Sequence, residues 1–232
     1  MTVSERALDV LAGLRPQAFG TTHPSNIKDP IVEPMWSGIR VLAAIDGRSV
    51  RLQDGDGEEL EGRPDVVEAL ADAIRAEGVV VDGYLTKDTS REVVGVDPGL
   101  EDVPTMGRFM TQSLFGTRRS RSQEVARHVE QVREGAAFDD EDDLGFVAVD
   151  LLWLDGESIT DVPLLERKRL LETVVAESEL IRLGIFVRVP IDTWVASWRA
   201  MGFLGMSFRA ANSRYFPGEK RKDWTTAWMP RR

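Results

Sequence analysis

The chain has 232 residues, of which 42% are hydrophobic and none is cysteine. This length supports one large domain with its own core, and the lack of thiols excludes disulfides and thiolate metal sites, which is typical of a reducing compartment. A formal net charge of -10 predicts long-range repulsion of phosphate backbones, so we expect weak or absent DNA binding.

Residues 1–30 form the first predicted unit, an N-terminal helical extension. Its opening, "MTVSERALDVLAGLRPQ", mixes both charges with apolar residues and resembles neither a targeting signal nor a membrane span. We therefore expect a cytoplasmic protein with no membrane association. His23 and His128 lie far apart without a partner at ligand spacing, so no metal site is expected.

Strand patterns begin after Pro30. The stretch "VEPMWSGIRVLAAIDG", residues 32–47, predicts a β-hairpin whose first strand ends at Met35, Trp36 and Ser37 and turns at a glycine. A second hairpin is predicted across Asp46 and Gly47, where "RSVRLQD" returns along the preceding strand.

Helices and strands then alternate along the chain. We predict a helix in "PDVVEALADAIRAEG" (64–78), a buried strand in "GVVVDGYL" (78–85), an irregular excursion over 87–110 and a helix over 120–135. The acidic run "FDDEDDLG" (138–145) resembles a metal cage, but consecutive carboxylates point in divergent directions, which favours an exposed loop.

The last third repeats the same alternation. It predicts a strand in "GFVAVDLLWLDGESI" (145–159), a helix over 161–177, a strand over 180–190, a helix over 191–202 and a closing strand and loop over 203–218. Basic clusters in 116–133 and 218–232 are interpreted as a solvated helix face and a tail rather than as nucleic-acid patches. Interleaved elements without a linker or a repeat indicate one α+β or α/β domain.

Four segments in order carry a resemblance: "EPMWSGIR", "VVVDGYL", "FVAVDLLWLDG" and "FLGMSFRAANSRYFPGEKRKDW". Together they resemble the adenylation domain of ATP-dependent DNA ligases, and most closely bacterial end-joining ligases. The resemblance implies an α+β, ATP-grasp-like nucleotidyltransferase fold of antiparallel sheets flanked by helices. It also implies a single domain over 1–232, with no residues left for the oligonucleotide-binding barrel of full ligases.

The first ligase motif lacks its nucleophile. In the family it reads Glu-Pro-Lys-x-Asp-Gly-x-Arg, and the lysine attacks the α-phosphorus of ATP; Met35 stands at that lysine and Ser37 at the aspartate. A thioether cannot form a phosphoramidate. The resemblance therefore assigns no catalytic residue to this chain.

Other motifs depart in the same direction. The third motif ends on Tyr84 in place of a carboxylate, and the fourth has Leu204 for a glutamate and Arg209 for a lysine. The last motif has Thr226 and Trp228 at two phosphate-contacting lysines. Loss of these groups together predicts a domain that does not transfer phosphoryl groups.

The residues that the resemblance would keep for a nucleotide are Glu33 beside the adenine edge, Arg40 at the ribose, Phe146 stacked on adenine and Arg209. Two interpretations stay open: Phe146 belongs to the core and Glu33 pairs with Arg40, or the four bind ATP or AMP weakly. No cofactor is required in either case.

Three functions remain as alternatives. The first is a pseudoenzyme that acts as a nucleotide-binding or protein-interaction module, linked to DNA repair through an unknown partner. The second is an active ligase or nucleotidyltransferase that uses a replacement nucleophile. The third is a pure interaction module with its cleft filled by apolar replacements, namely Met35, Tyr84, Leu204, Phe208 and Trp228.

Overall fold

Two β-sheets form the centre of the protein in the computed structural model, which describes residues 6–61, 63–86 and 144–229. Sheet 1 has the order β1-β11-β10-β2-β9 and contains β1 (Ala18–Gly20), β2 (Pro30–Pro34), β9 (Val187–Arg188), β10 (Gly205–Ala210) and β11 (Lys220–Trp228). Sheet 2 has the order β4-β3-β5-β6-β7, with β8 parallel to β6, and contains β3 (Ile39–Asp46), β4 (Ser49–Gln53), β5 (Gly78–Thr86), β6 (Gly145–Leu154), β7 (Glu157–Ser158) and β8 (Ile181–Leu183). Every described strand belongs to one of the two sheets, so these residues contain no separate barrel.

Helices flank the sheets. They are α1 (Ala7–Leu11), a 3-10 turn (Pro24–Asn26), α2 (Pro64–Ala73), α3 (Leu164–Val174) and α4 (Asp192–Ala200). None of the helices in the described ranges has the length and apolar character needed to cross a bilayer. Largely antiparallel sheets with flanking helices confirm the predicted α+β class.

The first predicted hairpin is wrong. β2 and β3 follow each other in sequence but lie in different sheets, because β2 pairs with β10 and β9 whereas β3 pairs with β4 and β5. Gly38 adopts a φ of 131° where the chain passes between the sheets, and a Cβ there would lie 2.0 Å from the carbonyl oxygen of Leu85. The second hairpin is confirmed, with Gly47 at a φ of 57°.

Strand β11 corrects the prediction of a solvated tail over 218–232, because it lies inside sheet 1 between β1 and β10. Its opening residues, Lys220 to Lys222, are exposed and hydrophilic, which conceals the buried Trp224 that follows. The N-terminal extension is also only partly helical, since β1 pairs with β11. The predicted segments at 87–110 and 120–135 and most of the acidic run lie outside the described residues.

The two sheets pack against different helices. One face of sheet 2 packs against α2 and α3 through residues such as Val81, Leu85 and Leu171. Sheet 1 packs against α4 through residues such as Val32 and Phe208. Strands of both sheets also contribute charged side chains to one buried cluster.

Candidate functional site

Five buried charged side chains join the two sheets to helix α3. Sheet 1 supplies Glu33 and Arg209, sheet 2 supplies Asp150, and α3 supplies Arg167 and Lys168. In the pairing of β2 with β10, Glu33 lies opposite Ser207 and Ile31 lies opposite Arg209. Side chains two residues apart on a strand point to the same face, so Glu33 and Arg209 lie on one face of sheet 1. None of the five side chains is more than 5% exposed, and we call them the interlayer cluster.

Asp150 and Glu33 are the two carboxylates of this cluster. Asp150 accepts hydrogen bonds from Nε and Nη2 of Arg167, each at 2.8 Å, and its Oδ2 lies 3.6 Å from Nη1 of Arg209. Glu33 accepts from Lys168 and Arg209, and Lys168 also donates to the carbonyl oxygen of Val149 at 2.8 Å. Three cations therefore share two carboxylates.

Burial opposes the charge on the two cations that contact Glu33. It lowers the pKa of Lys168 to about 8, with Asp150 opposing this decrease and Arg167 adding to it. Burial also lowers the pKa of Arg209, whose guanidinium lies 4.8 Å from the centre of the Trp224 ring. A neighbouring carboxylate favours the charged form of a cation, so the contacts with Glu33 and Asp150 oppose this effect of burial.

A second buried cluster surrounds Asp82 on β5. Arg40 donates to its two oxygens at 2.9 and 2.6 Å, and the hydroxyl of Tyr215 donates to Oδ2 at 2.8 Å. The N-terminal segment joins this cluster, because Arg40 donates to the carbonyl oxygen of Gln17 at 2.7 Å and the Gln17 amide donates to Tyr215 at 2.9 Å. Burial raises the pKa of Tyr215, and the Asp82 carboxylate adds to this increase.

Phe146 is the aromatic residue among the predicted site residues. It is fully buried with Val81 and Leu85 on the face of sheet 2 that α2 and α3 cover, whereas its neighbours Val147 and Val149 belong to the core that includes Phe208. A ring with no free face offers no surface on which a base can stack. This burial favours the interpretation of Phe146 as a core residue, and the adenine contact stays a prediction.

Gly83→Ala tests this packing around Phe146. A Cβ on Gly83 would lie 2.3 Å from Cζ of Phe146 and 2.6 Å from the carbonyl oxygen of Val147. We expect the substitution to lower the free energy of unfolding by about 1–3 kcal/mol, since overpacked sites cost this much. Urea denaturation measures the change, and Gly13→Ala is the control because the nearest atom to its Cβ lies 3.6 Å away. A loss no larger than in the control would contradict the packing.

Three of the apolar replacements meet at one end of sheet 1. The amide of Met35 donates to the carbonyl oxygen of Gly205 at 2.9 Å, Gly205 pairs with Trp228, and the amide of Met229 donates to Leu204 at 2.8 Å. Leu204 is 57% exposed. We call Met35, Leu204 and Trp228 the apolar end of sheet 1.

Tyr84 and Phe208 do not complete that set. Phe208 is 1% exposed and packs in the core beneath α4 with Val32 and Trp198. Tyr84 is partly buried against the same core. The expected filling of a single cleft by all five replacements therefore does not match their placement.

Arg167, Lys168 and Asp150 are not among the site residues that the sequence predicts. Arg167 and Lys168 share a helix face with Leu164 and Leu171, at the spacing of an apolar stripe. Two cations inside such a stripe indicate buried carboxylate partners, and this signal is present in the sequence. Within the described ranges, no group of three or more His, Cys, Asp or Glu side chains is placed to hold a metal ion.

Known DNA ligases are similar to this chain in both sequence and fold. The chain is 30% identical over 202 residues to a DNA ligase of Archaeoglobus fulgidus, which covers 83% of this chain and 31% of that ligase. It is 26% identical over 192 residues to the multifunctional non-homologous end joining protein LigD of Mycobacterium bovis, covering 83% of this chain and 20% of that protein. The chain thus spans about a third or less of the length of these two relatives.

A solved structure agrees with these matches. The ligase domain of LigD from M. tuberculosis superposes with a TM-score of 0.57 at 23% identity, over 93% of this chain and 59% of that one. The family described as ATP dependent DNA ligase domain matches residues 23–226. This match spans most of the sequence, so the chain belongs to the ATP-dependent DNA ligase domain family.

Proposed function

We propose that this ligase-like adenylation domain forms no covalent AMP intermediate and acts as a protein-interaction module. The observation that carries the proposal is Met35, which occupies the position that the family resemblance gives to the nucleophilic lysine. A thioether has no proton to lose and forms no stable bond to phosphorus in water. The Met35 side chain instead lies against Gly205, since a Cβ added to that glycine would be 2.7 Å from Sδ.

Lys168 is an amine with a lowered pKa, but it is a poor replacement for the missing nucleophile. Lys168 is 2% exposed, and its ammonium group donates to both Glu33 and the carbonyl oxygen of Val149. Attack on phosphorus requires a free lone pair and room for the triphosphate. This observation favours the silent domain over an active ligase with a replacement nucleophile.

The polar groups expected to bind a nucleotide already form ion pairs within the protein. Glu33 and Arg209 bind each other, and Arg40 binds Asp82. A nucleotide would have to displace these buried ion pairs, so we expect at most weak binding of ATP or AMP. Protein interfaces are rich in aromatic residues and methionine. The apolar end of sheet 1 has this composition, and its Leu204 is largely exposed.

The biological setting is proposed from the relatives. The Mycobacterium bovis relative is named for non-homologous end joining, and this name supports a partner in DNA repair. The high acidic charge supports weak or absent direct contact with DNA. We retain the cytoplasm as the proposed location, on the cysteine-free composition.

Incubation of the purified chain with ATP and magnesium is expected to leave its intact mass unchanged. Mass spectrometry after denaturation measures this, because a lysyl-AMP bond would survive and add the mass of AMP. Met35→Lys is the informative companion: we expect it also to remain unlabelled, since Leu204 and Trp228 supply no carboxylate or cation to the phosphates.

A covalent adduct on the unaltered chain would overturn the proposal. If the adduct then disappeared in Lys168→Met but persisted in Lys28→Met, Lys168 would be the replacement nucleophile. An adduct on Met35→Lys alone would leave the proposal intact for the natural chain and show that a single substitution removed the activity.

A further inference from the structure

A shallow depression lies on the helical side of sheet 2, away from the interlayer cluster. It has a volume of about 360 Å³, and Ala69, Ala73, Ala176 and Leu180 give it an apolar floor. We call it the α2–α3 groove, because its walls come from α2 and from the segment that follows α3.

Backbone hydrogen bonds fix the two walls relative to each other. The amide of Arg75 donates to the carbonyl oxygen of Val174 at 2.8 Å, and the amide of Ala176 donates to Ala73 at 2.8 Å. Ile74 and Val175 form an antiparallel bridge between them. The groove is thus built from ordered backbone where both helices end.

Three carboxylates line the groove. Glu179 is exposed, Asp72 pairs with the exposed Arg48, and Glu177 accepts the amide of Leu183 at 3.0 Å. The carboxyl-terminal ends of α2 and α3 converge here and add their negative partial charges to the same place. An apolar floor under this negative rim fits a ligand that is both cationic and apolar.

We propose that the α2–α3 groove binds a basic, amphipathic segment of a partner protein. Aliphatic side chains of the segment would cover the alanines and Leu180, while flanking lysines or arginines would bind Asp72 and Glu179. A second copy of this chain is disfavoured as the occupant, since a net charge of -10 opposes contact between two acidic faces. This groove does not depend on the proposed loss of AMP transfer.

Fluorescence anisotropy with the labelled peptide KLLKKLLKKLLK tests the proposal. The comparison peptide KGGKKGGKKGGK carries the same charge without apolar side chains. We expect the leucine peptide to bind at least about tenfold more tightly at physiological salt, because only it covers the floor of the groove. Equal affinity for the two peptides would overturn the proposal, since charge alone would then explain the binding.

Variants locate the binding on the protein. Asp72→Asn combined with Glu179→Gln is expected to weaken binding of the leucine peptide about tenfold. Asp56→Asn combined with Glu61→Gln removes the same charge from exposed positions outside the groove and is expected to change the affinity less than about threefold. Ala176→Phe fills the groove without changing charge and is also expected to weaken binding.

Three results would contradict the proposal. The first is an equal loss of affinity in the groove and control pairs. The second is unchanged binding in Ala176→Phe with its thermal unfolding intact. The third is displacement of the peptide by spermidine as efficiently as by unlabelled peptide, which would make this a small-cation site. Self-association that the groove variants abolish would identify a second copy as the occupant and likewise overturn the proposal.

Discussion

Asp150→Asn is expected to lower the free energy of unfolding by about 3–5 kcal/mol, as in other proteins in which one partner of a buried ion pair is removed. Asp150 is the carboxylate that Arg167 binds through two hydrogen bonds, and the two side chains are 0% exposed. An asparagine keeps the shape but loses the charge. Arg167 would then remain buried without an anion, and Arg209 would lose its contact at 3.6 Å.

Urea denaturation followed by tryptophan fluorescence measures this loss. Asp161→Asn is the matched control, because Asp161 also pairs with an arginine, Arg214, but its side chain is 84% exposed. Exposed pairs contribute about 0–1 kcal/mol, so the control is expected to unfold almost as the natural chain does. A similar small change in both variants would show that the Asp150 contact with Arg167 does not stabilise the fold.

The second large effect is expected at the contact between Glu33 and Lys168. Glu33→Gln leaves Lys168 and Arg209 buried without their shared carboxylate, and we expect a loss of about 3–5 kcal/mol. Lys168→Met replaces the cation with an apolar group of similar volume, and Glu33 keeps its contact with Arg209. This single substitution is expected to cost less than Glu33→Gln.

A double-mutant cycle separates pairing from packing at this site. The combined Glu33→Gln and Lys168→Met variant is expected to be more stable than Glu33→Gln alone, since the uncompensated ammonium group is gone. The coupling between the two positions is expected to be about 1–3 kcal/mol, as for residues in one buried network. Strict additivity of the two changes would show that Glu33 and Lys168 do not stabilise each other.

Much of the fold can be predicted from the sequence, and the failures have local causes. Periodicity locates α2, α3 and α4 because their buried residues recur at helical spacing. It predicts the end of α2 at Gly78, but Ile74 leaves the helix to bridge Val175, a contact more than 100 residues away that no local pattern contains. The assignment of β2 and β3 to one hairpin fails for the same reason, since pairing partners are chosen by the whole fold.

The site is harder to predict than the fold. Motif positions indicate Glu33 and Arg209, and the structure brings these two together. They do not indicate their partners Lys168 and Asp150, since the contact between Glu33 and Lys168 spans 135 positions in the chain. The sequence leaves both interpretations of Phe146 open, because an aromatic residue on a strand can face either side and only the packing of the sheet decides which.

The hydrogen bonds of Gln17 affect where a recombinant fragment of this domain can begin. Its backbone and side chain accept from Arg40 and Phe216 and donate to Tyr215, although it precedes residue 23, where the family match begins. Trimming a recombinant fragment to the family boundary would remove these three hydrogen bonds and β1 together. Recombinant fragments and chimaeras of this domain should therefore begin before α1 rather than at residue 23, where the family match begins.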